Sequence, residues 1–232
     1  MDFELDFTLL AAAAFACIFV IGWRTVPIFE RFRVQTRSLG GGLAVAYAFL
    51  TLFPELELGH ELFGDNVHVM VLVGLIAFLG AERYLERRAE AAGDSGADAV
   101  FGLTLGLAWV YVWLLVFTMP EKLEGSLPHA LIGILGLGLH LLFKDHGLVE
   151  LHEHLHVRVG RWVLALAPFA GWATAAWLAP ESEAVTDIIL ALLAGSIFYE
   201  VFREELPARD ESHYGWFVAG AGVYAALLIL AG

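Results

Sequence analysis

ADAVFGLTLGLAWVYVWLLVFTM, residues 97–119, runs for 23 residues with a single charge, Asp98, near its start. Wound as an α-helix it would be about 35 Å long, against about 30 Å for the hydrocarbon core of a bilayer. Beyond Asp98 it holds no carboxylate, histidine, asparagine or glutamine. Nothing in it needs water, so it reads as a membrane-spanning helix. Trp109, Tyr111 and Trp113 read as space-filling or interfacial aromatics rather than ligand-binding groups.

Seven further stretches share this character, and the predicted spans are 7–23, 39–58, 67–81, 97–119, 128–147, 162–178, 185–202 and 214–230. Composition agrees. Of 232 residues, 59% are hydrophobic and 17% are charged, against roughly 25% charged in an ordinary soluble domain. Mean hydropathy is +0.72. A soluble core of this size could not hide so much apolar surface, which excludes a soluble enzyme, a disordered chain and a disulfide scaffold. The first span follows the acidic MDFELD rather than a basic leader, so it is expected to remain in the mature protein. Cys17, the single cysteine, is expected to pack inside the bundle.

Basic residues set the orientation. Eleven arginines (24, 31, 33, 37, 83, 87, 88, 158, 161, 203 and 209) all fall in alternate connections, and the remaining connections hold only Lys122. By the positive-inside rule these arginines face the cytosol and both termini lie outside. The connections are short, which predicts one polytopic domain over residues 1–232. The fold expected is all-α: an eight-helix membrane bundle in the cell membrane of a prokaryote. Net charge is −13, which argues against a nucleic-acid partner and suits a salt-accumulating host. The expected partners are the lipid bilayer and a second copy of the chain in a homodimer. Small residues in the spans, such as Gly40–Gly42, Gly102 with Gly106, and Ala191 with Gly195, predict close helix contacts.

Ionisable groups inside a span are costly, so each is a candidate for function. The fifth span carries His140, Lys144, Asp145 and His146. On a helix His140 and Lys144 share a face, while Asp145 lies about 140° round from His140. If the helix continues, His146, Glu150 and His154 form one stripe and His152 with His156 another. Histidine and carboxylate ligands so spaced suit zinc or a similar divalent ion. The candidate metal set is therefore His140, Asp145, His146 and Glu150, with His152, His154 and His156 as an inner metal-gathering cluster. Thr51, Glu55, Lys144 and Glu200 are pathway or gate candidates. Lys144 beside Asp145 equally suits a membrane boundary with the lysine snorkelling. His60, His68, His129 and His213 sit at span ends and read as interfacial. Pro168 should kink the sixth span.

SLGGGLAVAYAFLTLFPEL in the second span, VLVGLIAFLGAERYLE in the third, ALAPFAGWA in the sixth and ALLAGSIFYEVFREELP in the seventh together resemble the ZIP (Zrt/Irt-like) metal-ion transporters. The resemblance implies an eight-helix bundle that carries zinc or iron towards the cytosol by alternating access. It also implies a mid-membrane metal between the fourth and fifth helices, held by His-Asn-x-x-Asp-Gly and His-x-x-Pro-Glu motifs. The fourth span has none of those ligands. In the fifth, His140 takes the family histidine position, but Phe143 and Lys144 replace Pro and Glu, and Asp145 stands one residue late. Thr51 stands where many members have histidine. An ammonium at Lys144 would then neutralise nearby carboxylates in place of a metal. Three functions are compatible with this pattern: a transporter with a rebuilt pathway, a non-transporting ZIP-like sensor or scaffold, and an intramembrane metal hydrolase. The hydrolase needs three converging ligands, and convergent candidates lie on the fifth span alone apart from Glu200. A non-enzymatic role is expected, with a divalent metal as substrate rather than as resident cofactor.

Overall fold

The structure, a computed structural model, describes residues 2–54, 56, 66–92, 97–119, 127–178, 183–205 and 213–231. The described residues are helical and include no strand. Helix α1 (Asp2–Ile21) passes through a 3₁₀ turn, Gly22–Thr25, into α2 (Val26–Arg31), which has a proline in its first turn. Then follow α3 (Arg33–Tyr47), α4 (Asn66–Ala92), α5 (Ala97–Phe117) and α6 (Leu127–Leu155). The chain closes with α7 (Arg161–Leu178), α8 (Glu183–Glu200) and α9 (Tyr214–Ala231). Helix α7 runs on through Pro168.

Over the described residues, each predicted span overlaps one of these helices, and α2 corresponds to none. Four stretches are long and apolar enough to cross a membrane: Phe7–Arg31, Asn66–Ala91, Asp98–Phe117 and Ala130–Glu150. Tyr214–Leu230 is apolar but shorter. The other three predicted spans miss for visible reasons. Helix α3 has 15 residues and a polar start, α7 carries Arg161 and Pro168, and α8 carries Glu183, Asp187 and Glu200. Apolar side chains point outward along the long helices, as Val69, Leu72, Val73 and Ile76 do on α4. Exposed indoles mark both ends of α7, Trp162 and Trp177, about 22 Å apart along the helix. Cys17 is exposed on α1 rather than packed inside, because its face of the helix is turned away from the bundle.

Two close crossings hold the bundle. A Cβ on Gly42 of α3 would strike the Phe217 carbonyl of α9, and one on Gly220 of α9 would strike the Leu39 carbonyl of α3. The α4–α8 crossing repeats this: Gly74 meets Leu192 and Gly195 meets Val71. In all four cases the glycine sits on the carbonyl three residues before the partner helix's own glycine. Only a missing side chain lets two backbones come this close. Gly195→Val is expected to force α4 and α8 apart and lower stability by about 3 kcal/mol, read as a lowered melting temperature in detergent. Gly102→Val, at a position with nothing within 4 Å, should stay within about 0.5 kcal/mol of wild type.

The packing pattern is its own image when α1 exchanges with α7, α3 with α8, α4 with α9 and α5 with α6. The α4–α8 contact maps onto α9–α3, α5–α7 onto α6–α1, α3–α6 onto α8–α5 and α4–α5 onto α9–α6, while α1–α7 and α5–α6 map onto themselves. Three of these pairs lie five predicted spans apart and the fourth, α5 with α6, lies one apart; each is an odd number, so partners are predicted to run in opposite directions. It is the arrangement of an inverted repeat. A local irregularity follows the same rule. Helix α3 opens into a π-helical turn at Ala48–Leu52 and α8 into one at Val201–Glu205. Each π turn begins six residues after a crossing glycine, and each is followed two residues later by a proline in the sequence, Pro54 and Pro207. A proline cannot donate to the carbonyl four residues back, which loosens the turn before it.

Candidate functional site

The functional groups gather where α6 passes α5, α4 and the end of α8. His140 and Lys144, one turn apart on α6, both reach Glu200, the last α-helical residue before the π turn of α8. Nε2 of His140 lies 2.9 Å from Oε2 of Glu200. The Lys144 ammonium pairs with the other carboxylate oxygen. Glu200 and His140 are buried, and the Lys144 side chain keeps 17% exposure. Two aromatic faces complete the lysine's surroundings: its nitrogen sits 4.7 Å from the ring centre of Tyr111 and 5.3 Å from that of Phe78. The Tyr111 hydroxyl lies 3.0 Å from Nε2 of His140. A carboxylate, an imidazole and two π faces around one positive charge make a cation site, occupied by a cation the chain itself supplies.

The site opens towards the arginines. A cavity of about 550 Å³ lined by Phe29, Arg33, Arg37, His146, Glu150 and Arg203 ends at His140, Lys144 and Glu200. A second, of about 300 Å³, reaches the same pair past Phe78, Glu82 and Thr104. Arg203 pairs with Glu82, and at 2.6 Å with Glu86, tying the ends of α4 and α8 together beside both openings. Arg33, Arg37 and Arg203 thus share one cavity, and Arg161 lies on Trp23 nearer the α1 turn. Towards the other end packing is close. Thr51 Oγ1 lies 2.7 Å from the Tyr224 hydroxyl, Tyr47 meets Tyr224 edge to face, and Gly136 leaves room for both rings.

The other candidates on α6 diverge from this point. Asp145 turns away from Lys144 into the interior, where its Oδ1 lies 2.8 Å from Nε2 of His156, both side chains being fully buried. Gly22 leaves the space that Oδ2 occupies. His146 points to the 3₁₀ turn after α1. Its Nε2 lies 2.9 Å from the Thr25 hydroxyl, which itself donates to the Gly22 carbonyl at 2.6 Å, and its ring meets Phe29 edge to face. Glu150 lines the larger cavity further out. The predicted stripe of His152 and His156 is interrupted, because His152 departs from helical geometry (φ −155°, ψ 76°) and a π turn follows at His156–Gly160. His152 packs on Phe101 at 5.5 Å, His154 is exposed and His156 is buried with Asp145. Among the described residues, no group of three or more His, Cys, Asp or Glu side chains could hold a metal ion. Glu55 lies outside the described residues.

His140, Lys144 and Glu200 thus form one buried column, and Thr51 meets Tyr224 at the close-packed end. Three residues of these contacts were not picked out by sequence: Tyr111, Phe78 and Tyr224. Tyr111 carried a readable signal, since a buried phenol in an apolar run needs a hydrogen-bond partner. No family model matches the chain, and no curated protein or solved structure matches it.

Proposed function

We propose that this chain is a multi-pass cell-membrane transporter of ZIP-like build that moves a divalent metal ion by alternating access. In this reading all eight spans cross the bilayer and the arginines face the cytosol. The cargo passes His140 and Glu200, and Lys144 holds the site when no cargo is present. One observation carries the proposal: a buried carboxylate–histidine pair, at the head of a cavity open on the arginine side, is neutralised by a tethered ammonium. An entering cation competes with Lys144 for Glu200, and Lys144 can swing into the cavity on its flexible stem. The inverted pairing of helices supports alternating access, and the ZIP-like motifs support the choice of cargo. A second reading, a non-transporting sensor or scaffold, draws on the lack of a three-ligand group among the described residues.

The test is uptake of zinc, iron(II) and manganese into proteoliposomes loaded with a metal-sensitive dye. Wild type should take up at least one ion, and His140→Ala with Glu200→Gln should reduce its rate about tenfold or more. Lys144→Met should alter the ion concentration at half-maximal rate. Uptake indistinguishable from empty liposomes for all three ions, in folded wild-type protein, would leave the non-transporting reading.

A further inference from the structure

Away from the central column, the turn after α1 meets the junction of α6 and α7. Trp23 is the hub. The Arg161 guanidinium lies between two indoles, 5.7 Å from the ring centre of Trp23 and 4.9 Å from that of Trp162. Arg24 lies 5.6 Å from the centre of the Trp23 ring. Arg158, Trp23, Glu153 and His154 line a cavity of about 470 Å³.

The three arginines differ from others at this end. Arg203 is held by two glutamates and Arg83 by Glu86, whereas Arg24, Arg158 and Arg161 have no carboxylate partner among the described residues. Two N–H donors of this cluster, Arg161 Nε and Trp23 Nε1, are shut off from water and bond to nothing among the described residues. Buried donors left open cost stability unless an acceptor arrives. Three guanidiniums against the single carboxylate of Glu153 favour an anion. Guanidinium forks match phosphate oxygens in geometry. Exposed Trp162 places the cluster where indoles settle, at the level of the headgroups.

We propose that Arg24, Arg158 and Arg161, grouped around Trp23, bind the phosphate of an anionic phospholipid at the membrane interface. The bound headgroup fastens the α1 turn to the α6–α7 junction. This site is separate from the cation column and does not depend on the cargo assigned to it.

The experiment is native mass spectrometry of the full chain in detergent with equal phosphatidylglycerol and phosphatidylcholine. Wild type should retain one phosphatidylglycerol in preference to phosphatidylcholine. Each surface arginine contributes about 1 kcal/mol to anionic-lipid binding, a factor of about five. The double variant Arg24→Gln/Arg158→Gln, both at exposed positions, should therefore lose about twenty-fivefold in preference while keeping its melting temperature. Arg87→Gln, an exposed arginine of α4 outside the cluster, should change nothing. Equal retention of the two lipids by wild type would overturn the proposal, as would an unchanged preference in the double variant or an equal loss in Arg87→Gln. Inorganic phosphate is the last arm: at millimolar concentration it should leave the lipid in place, and its displacing the lipid completely would show a free-anion site instead.

Discussion

Glu200→Leu should lower the stability of the protein by about 3–5 kcal/mol, because it leaves the Lys144 ammonium in the bundle without its counter-charge. The aromatic faces of Phe78 and Tyr111 soften this loss but cannot replace a carboxylate. Cation–π contacts are worth about 0.5–2 kcal/mol each, and Lys144 retains a cavity through which water can reach it. The measurement is chemical unfolding in detergent, with the double variant Glu200→Leu/Lys144→Met beside it. Removing both charges together should restore most of the loss, since a buried ion pair and an apolar pair of similar volume are often equal in stability. Lys144→Met alone should also destabilise, through a stranded Glu200. A Glu200→Leu protein as stable as wild type would mean that the pair does not form.

Lys144→Glu should create a metal site. The new carboxylate would join Nε2 of His140 and the freed Glu200 on one side of α6, giving three ligands and leaving water for a fourth position. Without metal, two close carboxylates repel and the variant should be less stable than wild type. With metal at a hundred times its dissociation constant the variant should regain about 2.7 kcal/mol. Calorimetry with zinc and with cadmium is the direct reading, and Lys144→Met is the control that removes the ammonium without adding a ligand. Absence of stoichiometric binding to folded Lys144→Glu protein would refute the idea that Lys144 stands where a metal could.

The two variants bear on what sequence could and could not reveal. Periodicity alone placed His140 and Lys144 on one face of the fifth span, and the cost of burying charge pointed to Glu200 in the seventh. That the three meet depends on how α8 crosses α6, and helix period says nothing about crossings. Lys144 and Asp145 are neighbours in sequence and read naturally as one boundary pair. In the structure they part, Lys144 to Glu200 and Asp145 to His156, since adjacent residues on a helix point about 100° apart. His146 and Glu150 keep to one cavity, while the stripe of His152 with His156 is interrupted for a local reason, the break at His152 and the π turn after it. Small residues were a partial guide. Gly195 and Gly42 do sit at crossings, while Gly102 and Gly106 face open space. The repeat itself was in the letters: a crossing glycine, then twelve residues on a proline, occurs as Gly42 with Pro54 and as Gly195 with Pro207. It is easily overlooked because Tyr47 in one half stands where Glu200 stands in the other.

The Lys144–Glu200 pair also settles how the resting bundle meets an electric field. A lone buried carboxylate moving across the membrane potential would do work of about 2.3 kcal/mol per 100 mV. With the ammonium bound to it, the carboxylate's charge is balanced on the spot, so in the transporter proposed above this pair would carry no net charge through the cargo-free bundle. Charge would cross at this site only when something other than Lys144 occupies Glu200.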